Sequence, residues 1–273
     1  MPETPAPERL RVLLAQLAPA GGAVDANVSR LEDIVRAHPS ADLAVFPELF
    51  LTGYTAGTTA PLARGLDDPV VERVRAAALE CGTAIIAGFT ERGAGDAIHN
   101  AALCVDHDGA LAAVHRKTYL FGEGERRSFV AGEHLHVIEL AGRRIAPLIC
   151  FEIEFPEPAR AVAQAGAELL VTIAANMAPY GHDHDLASRA RALDNRTPHA
   201  YVNRVGDEAG LTFVGGSQIV DADGRLLASA GTGEAIIVRD VALSPAQVGD
   251  TDYLRRLQPQ LTVAHGGVNG RAT

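Results

Sequence analysis

Three residues in this 273-residue chain, Glu48, Lys117 and Cys150, each close an apolar run with a group that can do chemistry. Together a carboxylate, an ammonium and a thiol can perform one specific task. The carboxylate takes the thiol proton, the thiolate attacks a carbonyl or nitrile carbon, and the ammonium stabilises the developing negative charge. Taken alone, Cys150 reads first as a buried structural thiol, the commoner fate of free cysteine. The acidic residues Glu152, Glu154 and Glu157 that crowd it argue against a plain core position. They also raise a thiol's pKa, so a nucleophile here needs a proton acceptor from elsewhere in the chain.

The elements that must position these groups follow from the hydrophobic pattern. Ile145, Ala146, Leu148 and Ile149 form a buried strand that stops at Cys150, and Pro156 opens an alanine-rich helix that runs to Gly166. Upstream, residues 11–19 form a strand covered on both faces. A helix capped by Asp25 or Asn27 follows, running to about His38. Residues 42–46 form the strand that ends at Pro47 and Glu48, where Phe46, Leu49, Phe50 and Leu51 favour a carboxylate enclosed beside a pocket over a solvated one. Asp68 caps a helix with Pro69 at its first position, and residues 83–92 are again a strand. Residues 98–117 read as a hairpin turning at Asp108-Gly109 and delivering Lys117 at its end, with Thr118 to Phe121 available to enclose the lysine stem.

Residues 122–133, rich in Gly and charge, read as a functional loop, and 167–177 as a buried strand. The loop 178–185 opens onto a helical segment over 186–197; strands then follow to about 243, with a hairpin at Asp223-Gly224. Cys81 and Cys104 read as packing residues. His182 and His184 with Asp183 and Asp185 suggest a metal site, but two His at i, i+2 diverge on a helix and spacing indicates no third ligand. A polar pocket rim or a helix cap is the better reading, and neither metal nor cofactor is expected.

Composition narrows the class. At 47% hydrophobic and 21% charged the chain is globular with ample core, and a formal net charge of −10 argues against nucleic acid or anionic membrane as partner. Three scattered cysteines cannot complete a disulfide framework, so a reducing compartment, the cytoplasm, is expected. Neither an export signal nor a membrane span is read from the sequence. With no internal repeat or linker, one domain over 1–273 is expected, with its core at about 10–242 and an extension at 243–273.

The segments FPELFLTGY around Glu48, HRKTYLF around Lys117 and ICFEIEFPEPAR around Cys150 resemble, in order, the three signature regions of the nitrilase superfamily, the carbon–nitrogen hydrolases. The resemblance implies a four-layer α-β-β-α sandwich, assembled as a homodimer or larger oligomer through the helical layer behind the nucleophile. Small residues Ala159, Ala161, Val162 and Ala165 there permit close approach. It also implies a Glu48–Lys117–Cys150 triad. A second glutamate, carried to Glu125 by the run Glu125 to Gly132, would position substrate and the lysine. The backbone N–H of Phe151 becomes an oxyanion donor by the same resemblance, with Asn176 and Tyr54 as substrate-binding candidates.

The chain departs from many relatives in having Phe151 and Glu152 where they carry Tyr or Trp and then Asp. The flank CFEIEFPE looks more like the amidase and carbamoylase branches than the nitrilases proper. A cysteine-dependent amidase acting on a small carboxamide is therefore expected, with N-carbamoyl compounds next and nitriles last. Asp183 and Asp185 are acidic rim candidates for a cationic amine on the substrate. Two readings of other classes are a binding or assembly protein with a degenerate site and a metal-dependent amidohydrolase using His182 and His184.

Overall fold

The computed structural model describes residues 9–54, 59–243 and 253–257. In its first half the chain forms β1 (Arg9–Gln16), α1 (Val24–Ala37), β2 (Leu43–Val45), α2 (Thr59–Leu62), α3 (Pro69–Cys81), β3 (Ala84–Arg92), β4 (Ile98–Val105), β5 (Leu111–Arg116) and α4 (Gly122–Ser128). The second half adds β6 (Ile138–Leu140), β7 (Arg143–Ile149), α5 (Pro156–Gln164), β8 (Leu169–Ala174), α6 (Gly181–Asn195), β9 (His199–Asn203), β10 (Val205–Glu208) and β11 (Leu211–Val214). The strands β12 (Gln218–Val220), β13 (Leu226–Ser229) and β14 (Ala235–Ala242) complete the sheets.

Two six-stranded sheets, ordered β14-β1-β2-β3-β4-β5 and β13-β12-β9-β8-β7-β6, lie face to face. The pattern of β1 shows why. Leu10, Val12 and Leu14 point into a core shared with β7, β8 and β9, while Leu13 and Ala15 point into a second core under α1 and α3. A strand covered on both faces carries apolar residues at both parities. Helices α5 and α6 cover the outer face of the second sheet through Ala159, Val162 and Ala187. The result is the expected α-β-β-α sandwich.

Several local expectations hold and several change. Asp68 accepts from the Val70 N–H at 2.9 Å and Pro69 opens α3, which ends on left-handed Gly82. Neither Asp25 nor Asn27 caps α1. The helix starts at Val24, and Asn27 instead pins the preceding loop by accepting from Ala20 N and donating to Ala20 O, both at 2.9 Å. Part of the segment expected as a loop, 122–128, is the helix α4, and α6 starts at Gly181, so His182 to Asp185 lie within its first turns. Ala159 and Val162 face the protein's own core, which leaves only Ala161 and Ala165 of the expected contact residues on the exposed side of α5. Most of the expected extension over 243–273 lies outside the described residues.

Candidate active site

The site lies where four strands end. Glu48 follows β2, Lys117 follows β5, Cys150 follows β7 and Ala175 follows β8. Strand ends suit this purpose because the rigid sheet fixes the side-chain root while the following loop is free to wrap a cavity. Tight crossings hold two of these roots. A Cβ on Gly88 of β3 would run into the backbone of Pro47, Glu48 and Leu49, so the turn that carries Glu48 can lie on β3 only over a glycine. Gly132 packs the same way on Arg116 and donates its N–H to the Lys117 carbonyl at 2.8 Å.

Cys150 itself sits at φ 48°, the left-handed region, at the head of a short 3₁₀ turn over Cys150–Glu154. For a non-glycine residue that costs about 1–2 kcal/mol, supplied here by the surrounding structure. The turn drives the thiol out of the strand line towards the cavity.

Glu48, Lys117 and Cys150 come together almost out of solvent, at 0%, 1% and 8% exposure. Lys117 Nζ donates to Glu48 Oε1 at 2.7 Å and to Glu125 Oε1 at 2.9 Å. Glu48 accepts further from Asn100 Nδ2 at 2.6 Å and from the Ala175 N–H at 2.7 Å. Glu125 accepts from the Tyr54 hydroxyl at 3.1 Å and from the Phe121 N–H at 2.8 Å. Burial works against the Lys117 charge, but Glu125, Glu48 and Cys150 outweigh it and hold the ammonium well above its ordinary range.

The thiol of Cys150 is pushed well up, first by burial and then by Glu48, with Lys117 opposing. Glu125 is also raised, by burial first, against the pull of Lys117. The expected source of acidity around the thiol therefore shifts. Glu48 and Glu125 act on it, whereas Glu157 is exposed on α5 and Glu152 is occupied behind the site.

Glu152 is fully buried. It accepts from Thr118 N (2.7 Å), Thr118 Oγ1 (2.6 Å) and Ile149 N (2.6 Å), and it contacts His115 Nε2 at 3.0 Å. It thereby ties the residue after Lys117 to the residue before Cys150.

A narrow well of 10 Å³ opens above Cys150, walled by Glu48, Glu125, Phe151, Asn176, Tyr180 and His184 among others. Phe151 packs its ring on Phe121 and Phe155. The Asn176 amide donates to Tyr180 O at 3.0 Å, and its backbone N–H donates to Asn203 Oδ1 at 2.8 Å. Tyr54 also lines the well, its N–H donating to Glu208 Oε2 at 3.1 Å. A second cavity of 200 Å³ shares Tyr54, Phe121, Glu125 and Met177 with the well.

Glu48, Lys117, Glu125, Cys150, Phe151, Asn176 and Tyr54 thus meet at this centre, whereas the acidic rim does not. Asp183 and Asp185 are exposed on α6 and line neither cavity. His182 is likewise exposed, whereas His184 is buried, contacting Tyr201 Oη at 3.0 Å and Glu154 Oε1 at 3.1 Å. Of the apolar run after Lys117, Tyr119 is exposed and Phe121 lines the well.

Asn100, the Ala175 N–H and Glu152 escaped the sequence reading as supports of the centre. Asn100 left a signal, as a lone amide in the otherwise apolar run after His99, but backbone donors have none. Buried carboxylates, a buried ammonium and a thiol on a left-handed turn, set in an α-β-β-α sandwich, describe a hydrolytic thiol centre.

Comparison with known proteins agrees. The profile for carbon–nitrogen hydrolases matches residues 11–249. The chain is 41% identical over 232 residues to a protein of Pseudomonas protegens described as a hydrolase in the pqqF 5′ region, spanning 84% of this chain and 81% of that one. It is 37% identical to an (R)-stereoselective amidase of Pseudomonas sp., spanning 90% of each. Among solved structures, an amidase from Nesterenkonia sp. AN1 carrying the acetamide moiety of fluoroacetamide on its active-site cysteine superposes with a TM-score of 0.80 at 28% identity. That match covers 91% of this chain and 94% of the other. The chain belongs to the carbon–nitrogen hydrolase family.

Proposed function

We propose that the protein hydrolyses a small carboxamide to the acid and ammonia through a thioester on Cys150. The observation that carries this reading is Lys117 Nζ bound between Glu48 and Glu125 beside the thiol. An ammonium has three N–H donors, and two are taken by carboxylates, so one is left for an oxygen developing charge in the well.

In this mechanism Glu48 accepts the Cys150 proton as the sulfur attacks the amide carbon. The raised thiol pKa makes that concerted transfer preferable to a standing thiolate. The oxyanion is held by Lys117 and by the Phe151 N–H, a role carried from the family resemblance. Glu48 then protonates the departing nitrogen, which leaves as ammonia. Water attacks the thioester with Glu48 again as base, releasing the acid and returning the proton to sulfur. Glu125 orients Lys117, while Tyr54 and Asn176 border the substrate.

Ammonia release from matched amides, N-carbamoyl amino acids and nitriles tests this directly, with amides expected to lead. A nitrile that outran its amide by more than about tenfold, or about 1.4 kcal/mol in transition-state stabilisation, would sink the amidase assignment. Intact-mass detection of an acyl adduct confined to Cys150 tests the thioester.

The protein is proposed to act as a homodimer in the cytoplasm, where its three unpaired cysteines stay reduced. Light scattering that showed only monomer at micromolar concentration would overturn the assembly. No helix among the described residues is long and apolar enough to cross a membrane.

A further inference from the structure

We infer that the 200 Å³ cavity beside the well is the acyl-chain subsite, and that it selects amides of uncharged, apolar acids against amides whose acyl chain carries a carboxylate. The inference rests on the amidase reading and adds the chemistry of the group attached to the reacting carbon.

The cavity is lined chiefly by Leu49, Phe121, Phe129, Met177 and Leu211, with Thr59 and Ser128 as its neutral polar residues and Tyr54 and Glu125 on the side towards the well. Among the described residues, none that lines it is Lys, Arg or His. Its one ionisable carboxyl, Glu125, already accepts from Lys117, Tyr54 and the Phe121 N–H. Arg204 lies outside the lining, stacked over Phe213 at 4.0 Å and paired with Glu208 at 2.6 Å.

A carboxylate entering this space would lose its water, find no cation, and approach Glu125 and Glu48. An apolar chain meets the opposite conditions. An enclosed apolar cavity of about 150 Å³ takes up benzene, so the 200 Å³ here suits a branched aliphatic or phenyl group.

The geometry also couples this subsite to the chemistry. Leu49 directly follows Glu48, Phe121 supplies an N–H to Glu125, and Met177 lies two residues beyond Ala175, whose N–H holds Glu48. A chain seated among these residues presses on the same loops that align the reacting groups.

The test compares kcat/KM for ammonia release from acetamide, 4-methylpentanamide, phenylacetamide and succinamate. Succinamate is the near-isostere of 4-methylpentanamide, with a carboxylate in place of the isopropyl group. The expected result is that 4-methylpentanamide and phenylacetamide exceed acetamide by at least about tenfold and succinamate by at least about a hundredfold. The variant Leu211→Arg, which places a cation in the cavity wall, is expected to narrow the ratio of 4-methylpentanamide to succinamate by at least about tenfold.

If acetamide is hydrolysed but succinamate equals or exceeds 4-methylpentanamide, the subsite inference fails and the amidase reading stands. If no amide is turned over, acetamide included, the amidase reading fails and takes the subsite with it. Should Leu211→Arg fail to fold, the wild-type ratios alone decide.

Discussion

Two buried polar clusters lie back to back in this molecule, and they are built to different ends. In front, Glu48 and Glu125 share one ammonium, Lys117, and face the well over Cys150. Behind, Glu152 takes up Thr118, Ile149 and His115 in four contacts and lines neither cavity. Both hold carboxylates almost fully out of water, which costs several kcal/mol unless partners compensate. The rear cluster is closed, since all its acceptor directions are spent on elements that must stay together. The front cluster keeps an N–H of Lys117 in reserve and crowds a thiol whose proton is held tightly. On the proposed mechanism, reactivity goes with the incompletely satisfied cluster, and rigidity with the satisfied one.

The sharpest way to break this contrast is to remove the group that the front cluster serves. Cys150→Ala is expected to lower kcat by at least about 10³-fold with an unchanged circular dichroism spectrum. A variant that retained more than a few per cent of the wild-type rate would end the nucleophile assignment. Glu48→Gln should come next, with a loss of about 10²–10⁴ in kcat, the usual weight of a positioned general base. Its effect on stability should be smaller than its effect on rate, because Lys117 retains Glu125 as counter-ion. A urea midpoint that collapsed along with activity would show the front cluster to be structural after all.

Much of this front cluster was legible before any coordinates, and the reason is local. Glu48, Lys117 and Cys150 each interrupt an apolar run, and a strand's covered faces make that run conspicuous. What was not legible depends on partners far away in sequence. Asn100 reads as one polar residue in a strand, yet it reaches 52 positions back to hold Glu48. Glu152 reads as acidity around the thiol, yet it turns away because Thr118, 34 residues upstream, offers two donors.

Gly122 and Gly124, poor helix formers, disguised α4 as a loop, and nothing in Asp25 announced that α1 would begin without a side-chain cap. The small hairpin of β10 and β11 turns at Ala209-Gly210, both at positive φ, and lacks the Asn-Gly or Asp-Gly signature that marked the Asp108 and Asp223 turns.

The rear cluster has its own test, and the sign of the contrast should reverse. Glu152→Gln keeps the shape but presents an amide N–H₂ to either the Thr118 or the Ile149 donors, leaving at least one buried donor without an acceptor. Each such loss costs about 1–3 kcal/mol. Urea unfolding should register that cost, while kcat falls by less than in Glu48→Gln. Equal kcat losses in the two variants would mean that Glu152 acts on the chemistry as directly as Glu48 does, and the division into reactive and closed clusters would dissolve.

A third closed group, His199, which is fully buried on β9, tests the contrast through stability alone. Its Nδ1 lies 3.0 Å from the Ser188 carbonyl and must donate to it. Its Nε2, at 2.8 Å from Thr172 Oγ1, then accepts the hydroxyl proton, so the neutral ring satisfies both neighbours. A second ring proton would force the Thr172 hydroxyl to turn its own proton away from the ring, and burial brings the pKa down from 6.5 to about 4. Between these values the unfolded chain binds a proton that the folded one refuses. This contribution is therefore complete above about pH 6.5 and is lost as pH falls towards 4, by up to about 3 kcal/mol. Urea midpoints measured at pH 7, 5.5 and 4.5 should fall in that order, and His199→Gln should show a shallower fall. An identical pH slope in the variant would assign the acid sensitivity to other groups and remove His199 from the closed class.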